Sequence, residues 1–314
     1  MKTIKIFAYA LAATSGMVLT SCGSDDSASS LPPIGGYNTA DEIAASDLLA
    51  YWPLNGDGKE SKSGAMPTNT VGASWVEGKK GQALRLNSGF LDYAPIAELN
   101  GPNPGFTISC WAKITNQKLT PDAVSTISPL ISFAGGPNAN VGNLALFGNT
   151  HGLVSSDSIQ MKAEYHFKKP DGVDFNGDCV NMIKMEPWMI SDNAANTGAT
   201  PLHAAFANKT GGQWAHIVFT YNGANAMVGM YVNGVKISNP AWEDRKGDNT
   251  LPLPIAFFTP SHPIIGALAS VANGTNVDTW NAALKGDIDE IRVYKKALIL
   301  ADINALYQLE SAGR

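Results

Sequence analysis

Four oxygen-bearing side chains occur within eight residues in the run Asp171-Gly-Val-Asp-Phe-Asn-Gly-Asp178. Carboxylate and amide oxygens are ligands that suit a hard cation such as Ca²⁺, which takes several of them. The run lacks the spacing of an EF-hand loop and the glutamate that closes one. The sequence therefore leaves two interpretations open, a cation site and a solvated turn.

Paired carboxylates are the second pattern with chemical potential, because they can carry out general acid and base catalysis. Asp287, Asp289 and Glu290 form the only acidic cluster on a predicted strand, and Asp287 and Asp289 share a face of it. The histidines lack the spacing of zinc ligands, and the sequence contains no Gly-x-Ser-x-Gly nucleophile elbow. His216 is expected to be a packed, hydrogen-bonded core residue. These patterns favour a protein that is not an enzyme.

Composition excludes several classes of protein. The chain has 314 residues, of which 44% are hydrophobic and only 16% charged, so a disordered chain is excluded. Its formal net charge of −5 argues against a nucleic-acid partner. The 3 cysteines are too few for a disulfide scaffold.

The N-terminus has the features of an export signal. Lys2 and Lys5 precede an apolar stretch at 6–19, which is too short to span a bilayer. The stretch ends in Leu-Thr-Ser-Cys22, which resembles the bacterial lipobox. We therefore predict a lipoprotein signal peptide at 1–21 and lipidation of Cys22, the alternative being an ordinary signal peptide.

A polar segment follows Cys22. Its acidic, serine-rich start, Gly-Ser-Asp-Asp-Ser, resembles the surface-export signal of Bacteroidetes lipoproteins. Residues 22–45 lack hydrophobic periodicity, so we predict a flexible linker there. The expected location is the outer membrane, with the protein held by its lipid alone and exposed at the cell surface.

Residues 46–314 carry strand signals at short intervals. Asn233-Gly234 lies between two apolar runs and predicts a hairpin with a type I′ turn. Ile299, Ile303, Leu306 and Tyr307 have the spacing of one helix face. Many strands with one terminal helix predict an antiparallel sandwich or jelly roll. The predicted strands are 48–54, 83–86, 90–93, 106–114, 129–133, 214–221, 227–232, 235–237, 264–266 and 288–294.

Several motifs in order resemble the laminin-G-like branch of the concanavalin A-like lectin/glucanase superfamily. They are Tyr51-Trp-Pro-Leu-Asn-Gly-Asp-Gly58, Gly81-Gln-Ala-Leu-Arg-Leu86, Phe106-Thr-Ile-Ser-Cys-Trp-Ala-Lys113, Trp214-Ala-His-Ile-Val-Phe-Thr-Tyr-Asn-Gly223, Tyr231-Val-Asn-Gly234 and Gly286-Asp-Ile-Asp-Glu-Ile-Arg-Val-Tyr294. The resemblance implies an all-β antiparallel sandwich of the concanavalin A-like jelly-roll type with a short C-terminal helix. It covers 48–309 apart from an insertion at about 150–210.

The resemblance also implies site residues. Asp289 matches the aspartate that holds a structural Ca²⁺ in related sandwiches, the alternative being a carboxylate bonded to backbone N–H groups or to Arg292. The superfamily contains glycosidases, but the Glu-x-Asp-x-Glu run of its laminarinase-like members is absent here. Cys110 is expected to be a buried thiol, and a disulfide with Cys179 is left open.

The insertion is the strongest candidate for a ligand site, because long excursions from a compact domain are often functional. It contains Tyr165 and Trp188 among amide and carboxylate side chains, and Trp242 forms a second aromatic position. Aromatic rings can stack on sugars, so we predict Tyr165, Trp188 and Trp242 as ligand-binding residues. Alternatively, these rings pin the insertion to the sandwich.

Together these observations predict a surface lipoprotein that binds carbohydrate without cleaving it. The partner is expected to be a glycan or a cell-surface protein, and Ca²⁺ is expected as a structural ion. Two alternatives stay open, a protein-interaction or adhesion module and a divergent glycoside hydrolase.

Overall fold

The computed structural model describes residues 31–150, 154–180, 209–238 and 240–314. Within them the chain forms thirteen strands, two α-helices (Ala269–Ala272 and Leu300–Ser311) and short 3-10 turns at Ala40–Glu42, Ala45–Asp47, Ala97–Leu99 and Pro240–Trp242. In chain order the strands are β1 (Leu48–Trp52), β2 (Pro67–Glu77), β3 (Gln82–Tyr93), β4 (Gly105–Ile114), β5 (Ser128–Phe133), β6 (Leu144–Gly148), β7 (Lys162–Lys168), β8 (Asp174–Val180), β9 (Trp214–Asn222), β10 (Met227–Val232), β11 (Val235–Lys236), β12 (Pro263–Ile265) and β13 (Leu284–Tyr294).

The strands form one antiparallel sheet that curls onto a single core. Its order is β11-β10-β9-β4-β13-β3-β12-β5-β6-β7-β8, with β1 beside β13 and β2 beside β3. Phe106 on β4 contacts Phe133 on β5 and Phe167 on β7, with ring centroids 6.2 and 6.0 Å apart. The two halves of the sheet therefore face each other across the core, and the predicted antiparallel sandwich is confirmed.

The predicted hairpin at Asn233-Gly234 is present. Val232 pairs with Val235, and the two turn residues have φ of 51° and 77°. A type I′ turn needs positive φ at both positions, which asparagine and glycine tolerate best. The turn sets the register of β10 against β11.

One prediction about the strands was wrong. Ser88-Gly89 was expected to separate two strands, but β3 runs continuously through both residues. Ser88 has a φ of 51°, and the register with β13 shifts beside Gly89. A Cβ at Gly89 would collide with the Val71 carbonyl oxygen, so glycine allows β2 to approach closely there. The residues form an irregularity within a strand instead of a turn.

The predicted linker is too long. Ala40 and Ile43 are buried against Ile303 and Leu306 of the C-terminal helix, and the Tyr37 hydroxyl donates a hydrogen bond to Asp302. These residues show no periodicity because they form short turns, yet their few apolar side chains cover one side of the helix. The compact unit extends from Pro33 to Arg314.

The C-terminal helix packs on the outer face of the sheet. Ile303, Leu306 and Leu309 are buried, and Tyr307 stacks on Trp111 of β4 with a centroid separation of 5.7 Å. The prediction that Ile299 shares the buried helix face was wrong, because Ile299 precedes the first turn, has no side-chain cap and is exposed. The helix therefore covers the part of the outer sheet surface that contains Trp111 of β4, Val218 of β9 and Tyr294 of β13.

The insertion contributes two strands. Alternate residues of β7 are buried, and β7 and β8 pair in register from Lys162–Val180 to Lys168–Asp174. This hairpin extends the sheet beyond β6. It therefore turns one row of side chains into the core and a second row outwards.

Candidate functional site

A cavity of about 280 Å³ opens between the end of β6, the start of β7 and the loop before β13. We call it the Trp280 pocket, and its lining residues are Ser125, Ile127, Phe147, Asn149, Thr150, Lys162 and Trp280. Four of them offer polar groups and three offer apolar surface. Such a mixture of apolar walls and a few polar groups is typical of small-molecule sites.

Trp280 is the exposed aromatic wall of the pocket, with 39% of its surface accessible. Its backbone carbonyl accepts a hydrogen bond from Ile127, which ties the loop to the segment before β5. The Asn281 side chain donates to Asn140 and Ser270 and fixes the next residue of the loop. The backbone that carries the ring is therefore held in place, and the ring itself faces solvent.

Phe147 forms the floor. It points outwards from β6 and packs with Ile127, Val141 and Leu268 in a small cluster separate from the main core. The Lys162 ammonium lies over its ring, 5.6 Å from the centroid. Lys162 thus shields Phe147, and Trp280 is the ring left open to a ligand.

Asn149 carries an unused acceptor into the wall of the pocket. It is 5% exposed and has a φ of 58°, which asparagine tolerates better than most residues. Its amide donates to the Thr115 carbonyl and the Ser128 hydroxyl, both at 2.7 Å, which fixes its orientation. Among the described residues nothing donates to its Oδ1. A buried acceptor without a donor is costly, so a ligand hydroxyl would be stabilising here once a small side-chain movement exposes Oδ1, which is covered in the structure.

A charged surface adjoins the pocket through Lys162. We call it the hairpin face, and it consists of the outward side chains of Lys162, Glu164, His166, Asp174 and Asp178. The Lys162 ammonium lies 2.7 Å from Glu164 and 3.1 Å from Asp178. His166 contacts Asp174 at 2.9 Å. Three carboxylates therefore share one ammonium and one imidazole, and each of them has a cationic partner.

The two carboxylates facing Lys162 have different proton affinities. Burial works against ionisation of Glu164, yet His166 and Lys162 outweigh it and lower the pKa to about 2. Burial dominates at Asp178 and raises its pKa. The pKa of His166 is raised, first by its contact with Glu164. Glu164 and Asp178 are directly opposed in the register of β7 and β8. This pair could not be predicted from the sequence, because its members are brought together only by strand pairing.

Two predicted ligand residues are not available to a ligand. Tyr165 is completely buried and stacks on Phe167 with a centroid separation of 5.0 Å. Trp242 is only 8% exposed. Tyr165 belongs to the inward row of β7, and both rings pack into the protein, as the alternative interpretation held. Trp188 lies outside the described residues.

Asp289 is surrounded by donors. Its Oδ2 accepts from the backbone N–H groups of Lys79 and Lys80, and its Oδ1 accepts from that of Glu290. A Cβ at Gly78 would lie 2.6 Å from Oδ2, so the turn closes tightly on the carboxylate. Burial raises its pKa to about 7, against the effect of these donors. The arrangement matches the backbone-donor alternative, and a structural Ca²⁺ at Asp289 stays a prediction.

The carboxylates of the acidic run at 171–178 pair with basic side chains of the protein. Asp171 pairs with Lys169 at 3.3 Å, Asp174 with His166, and Asp178 with Lys162. Each of the three carboxylates therefore has a cationic partner within the protein. No group of three or more His, Cys, Asp or Glu residues suited to a metal is found in the described parts of the chain.

Cys110 is a buried thiol, and burial raises its pKa. The side chain of Cys179 lies outside the described part of the chain, so a disulfide with it stays open. His216 is fully buried as predicted and stacks beside Trp111 and Tyr307. Its ring nitrogens have no hydrogen-bond partner among the described residues, so the hydrogen bonding expected of it is not seen. Cys22 and the predicted signal peptide lie outside those residues, and no helix within them is long and apolar enough to cross a membrane.

Comparison with known proteins supports the fold. Residues 175–304 match the laminin-G-like family model of the concanavalin A-like lectin/glucanases superfamily. No curated protein matches the chain. The binding domain of botulinum neurotoxin serotype G superposes with a TM-score of 0.51 at 12% identity, over 84% of this chain and 51% of that one. The fold is therefore concanavalin A-like.

Two further structures are similar at lower scores. Domain 4 of the extracellular arabinanase AbnA from Geobacillus stearothermophilus, solved with arabinotriose, is 20% identical with a TM-score of 0.47. The similarity covers 83% of this chain and 98% of that domain. Trypanosoma rangeli sialidase is 16% identical with a TM-score of 0.46, and the chain spans 33% of its length against 84% of its own.

Proposed function

We propose that this domain binds carbohydrate without cleaving it, and that the sugar occupies the Trp280 pocket. The observation that carries the proposal is the pairing of an exposed tryptophan on a tethered loop with the unused buried acceptor of Asn149. A sugar ring offers an apolar face to the first and hydroxyl donors to the second. Thr150, Ser125 and Lys162 provide further hydrogen-bonding groups on the rim.

The site supports weak binding. One aromatic wall and a shallow set of polar groups offset little of the entropy that is lost on association. We propose that many copies, each tethered through lipidated Cys22 to the outer membrane and exposed at the surface, compensate by avidity. The resemblance of the N-terminus to a lipobox and an export signal supports that arrangement.

A glycan array probed with the chain from Gly23 onward tests the proposal. Trp280→Ala should weaken retention of the glycans found by about tenfold, equivalent to 1.4 kcal/mol. Val277→Ala is the matched control, since Val277 lies in the same loop, is 91% exposed and does not line the pocket. Equal retention by the Trp280 variant and wild type would refute this site. Retention of no glycan, with capture of one surface protein, would favour the interaction module.

Hydrolysis is the second candidate, and the Glu164–Asp178 pair is the observation that favours it. Two carboxylates whose proton affinities differ can serve as acid and base. The Lys162 ammonium, however, lies between them at 2.7 and 3.1 Å, where a glycosidic bond would have to enter. We therefore expect no release of reducing ends from glycans that bind. Release that disappears in Glu164→Gln would establish the enzyme instead.

A further inference from the structure

A second recess lies on the outer surface of the sheet, beyond the C-terminal helix. We call it the basic groove; its volume is about 470 Å³. Four of its lining residues, Ser74, Arg85, Asp287 and Lys113, occupy directly paired positions on β2, β3, β13 and β4. Trp214 on β9 does not line the recess, but it pairs with Lys113 and extends the row by one strand. Directly paired residues project from the same face of a sheet, so the row is a continuous surface. At ~4.8 Å between strands it spans about 19 Å.

The groove carries an excess of positive charge. Arg85, Lys113 and Lys285 face one carboxylate, that of Asp287. Both oxygens of Asp287 bind the Arg85 guanidinium, at 2.7 and 2.8 Å. Asp287 is therefore already neutralised, and the ammonium groups of the two lysines are left over.

Lys113 and Lys285 have no ion pair within the described ranges. Lys285 pairs with Asn87 on one side, and Lys113 pairs with Asp287, so the two lysines lie diagonally on neighbouring strands. Diagonal positions of this kind are ~7–8 Å apart at Cα. Two unpaired cations at this spacing are notable in a chain whose formal net charge is −5.

The neighbours of the lysines favour a sugar polymer over other polyanions. Ser74, Asn87 and Thr115 bring hydroxyl and amide groups to the groove, and the partly exposed indole of Trp214 ends the row. A net excess of two cations is small, and the acidic chain around it would repel a densely charged nucleic acid. A polysaccharide with spaced anionic groups matches this surface better.

We infer that the basic groove binds a polysaccharide bearing carboxylate or sulfate groups. Lys113 and Lys285 contact the anionic groups, and Trp214 stacks on a sugar ring at the end of the row. This site is separate from the Trp280 pocket and does not depend on it. The whole chain is acidic, with a formal net charge of −5, but the charge of the local surface is opposite.

Binding to immobilised polymers tests the inference. The probes are polygalacturonate for carboxylate, dextran sulfate for sulfate, dextran as the neutral reference and a DNA duplex for the competing class. We expect retention of at least one anionic polysaccharide that falls between about 50 and 300 mM NaCl, because screening weakens such contacts. Retention of dextran alone would overturn the inference while leaving the first proposal intact.

Two double variants that each remove two positive charges distinguish binding in the groove from the effect of the protein's overall charge. Lys113→Gln with Lys285→Gln should weaken anionic binding by about tenfold, and Lys113→Arg with Lys285→Arg should restore it. Lys59→Gln with Lys62→Gln alters two exposed lysines outside the groove and should change binding by less than about twofold. Equal losses in the two glutamine variants, or DNA retained with the same dependence on the groove, would refute the site or its ligand.

Discussion

Two clusters of charge in this molecule differ in what they can do. Beneath the C-terminal helix, Arg292 binds Glu310 at 2.8 Å and Glu290 at 3.0 Å, and all three are essentially inaccessible. Tyr51 stacks on the guanidinium at 3.9 Å, and Trp111 donates to Glu310. We call this the Arg292 network.

The hairpin face has the same types of group in a different setting. Lys162, Glu164 and Asp178 retain 14%, 21% and 29% of their side-chain surface. Water can therefore replace any partner that is lost, whereas the Arg292 network has no such reserve. Ion pairing alone therefore does not mark a functional site in this molecule. The candidate ligand surfaces are the ones whose polar and charged groups stay accessible to solvent.

Removal of Arg292 should have the largest effect on stability and tests the difference between the two clusters directly. Arg292→Met should lower the free energy of unfolding by about 3–5 kcal/mol, because it leaves Glu290 and Glu310 buried without their cation. Chemical denaturation measures the loss. The double variant with Glu310→Leu should be more stable than the single one, since it removes a stranded charge. If Arg292→Met lowered the free energy of unfolding by less than about 1 kcal/mol, the network would not depend on its buried cation.

Asp289 lies beside the Arg292 network and accepts hydrogen bonds from three backbone N–H groups. Its substitution tests what these hydrogen bonds contribute to stability. Asp289→Asn should lower the free energy of unfolding by about 2 kcal/mol, because an amide nitrogen would face a backbone N–H. The same donors predict one melting temperature for the wild type in Ca²⁺ and in EDTA. A melting temperature that falls in EDTA, and does so only when Asp289 is present, would support the calcium interpretation.

His216 should make the stability of the folded chain depend on pH. Burial, assisted by Arg292, lowers its pKa to about 3, whereas the unfolded chain titrates near 6.5. Between these values the unfolded state binds a proton that the folded state does not, so stability falls as the pH falls. The loss at pH 5 should be about 2 kcal/mol. His216→Phe keeps a ring between Trp111 and Tyr307, and its unfolding curve should lack this part of the pH dependence.

The sequence predicted the fold well where a strand signals itself locally. β4, β9 and β10 alternate or are rich in β-branched residues, and Asn233-Gly234 fixes a turn by its own backbone preference. β7 is absent from the predicted strands although Ala163, Tyr165 and Phe167 alternate with polar residues. Alternation there already favoured the inward position that the structure gives Tyr165.

The ligand surfaces could not be predicted in the same way. Trp280 lies in a loop without periodicity, and its importance comes from Asn149 and Lys162, which are distant in sequence. The basic groove depends on the register of five strands, which joins Ser74 to Trp214. Spacing within one strand carries no information about such rows. Long-range pairing therefore limited the prediction of the sites more than that of the fold.

The smallest expected effect is on the hairpin face, where Lys162→Met separates Glu164 from its ammonium partner. Because these side chains are partly hydrated, the loss at pH 7 should be about 1 kcal/mol, well below that of Arg292→Met. Acidification should reduce the loss, since protonation of Asp178, whose pKa is already raised by burial, removes its repulsion with Glu164. Lys169→Met in the same hairpin is the matched control and should be close to neutral, because its partner Asp171 is exposed. A loss as large as that of Arg292→Met would mean that the hairpin face is structural, and the distinction between the two clusters would fail.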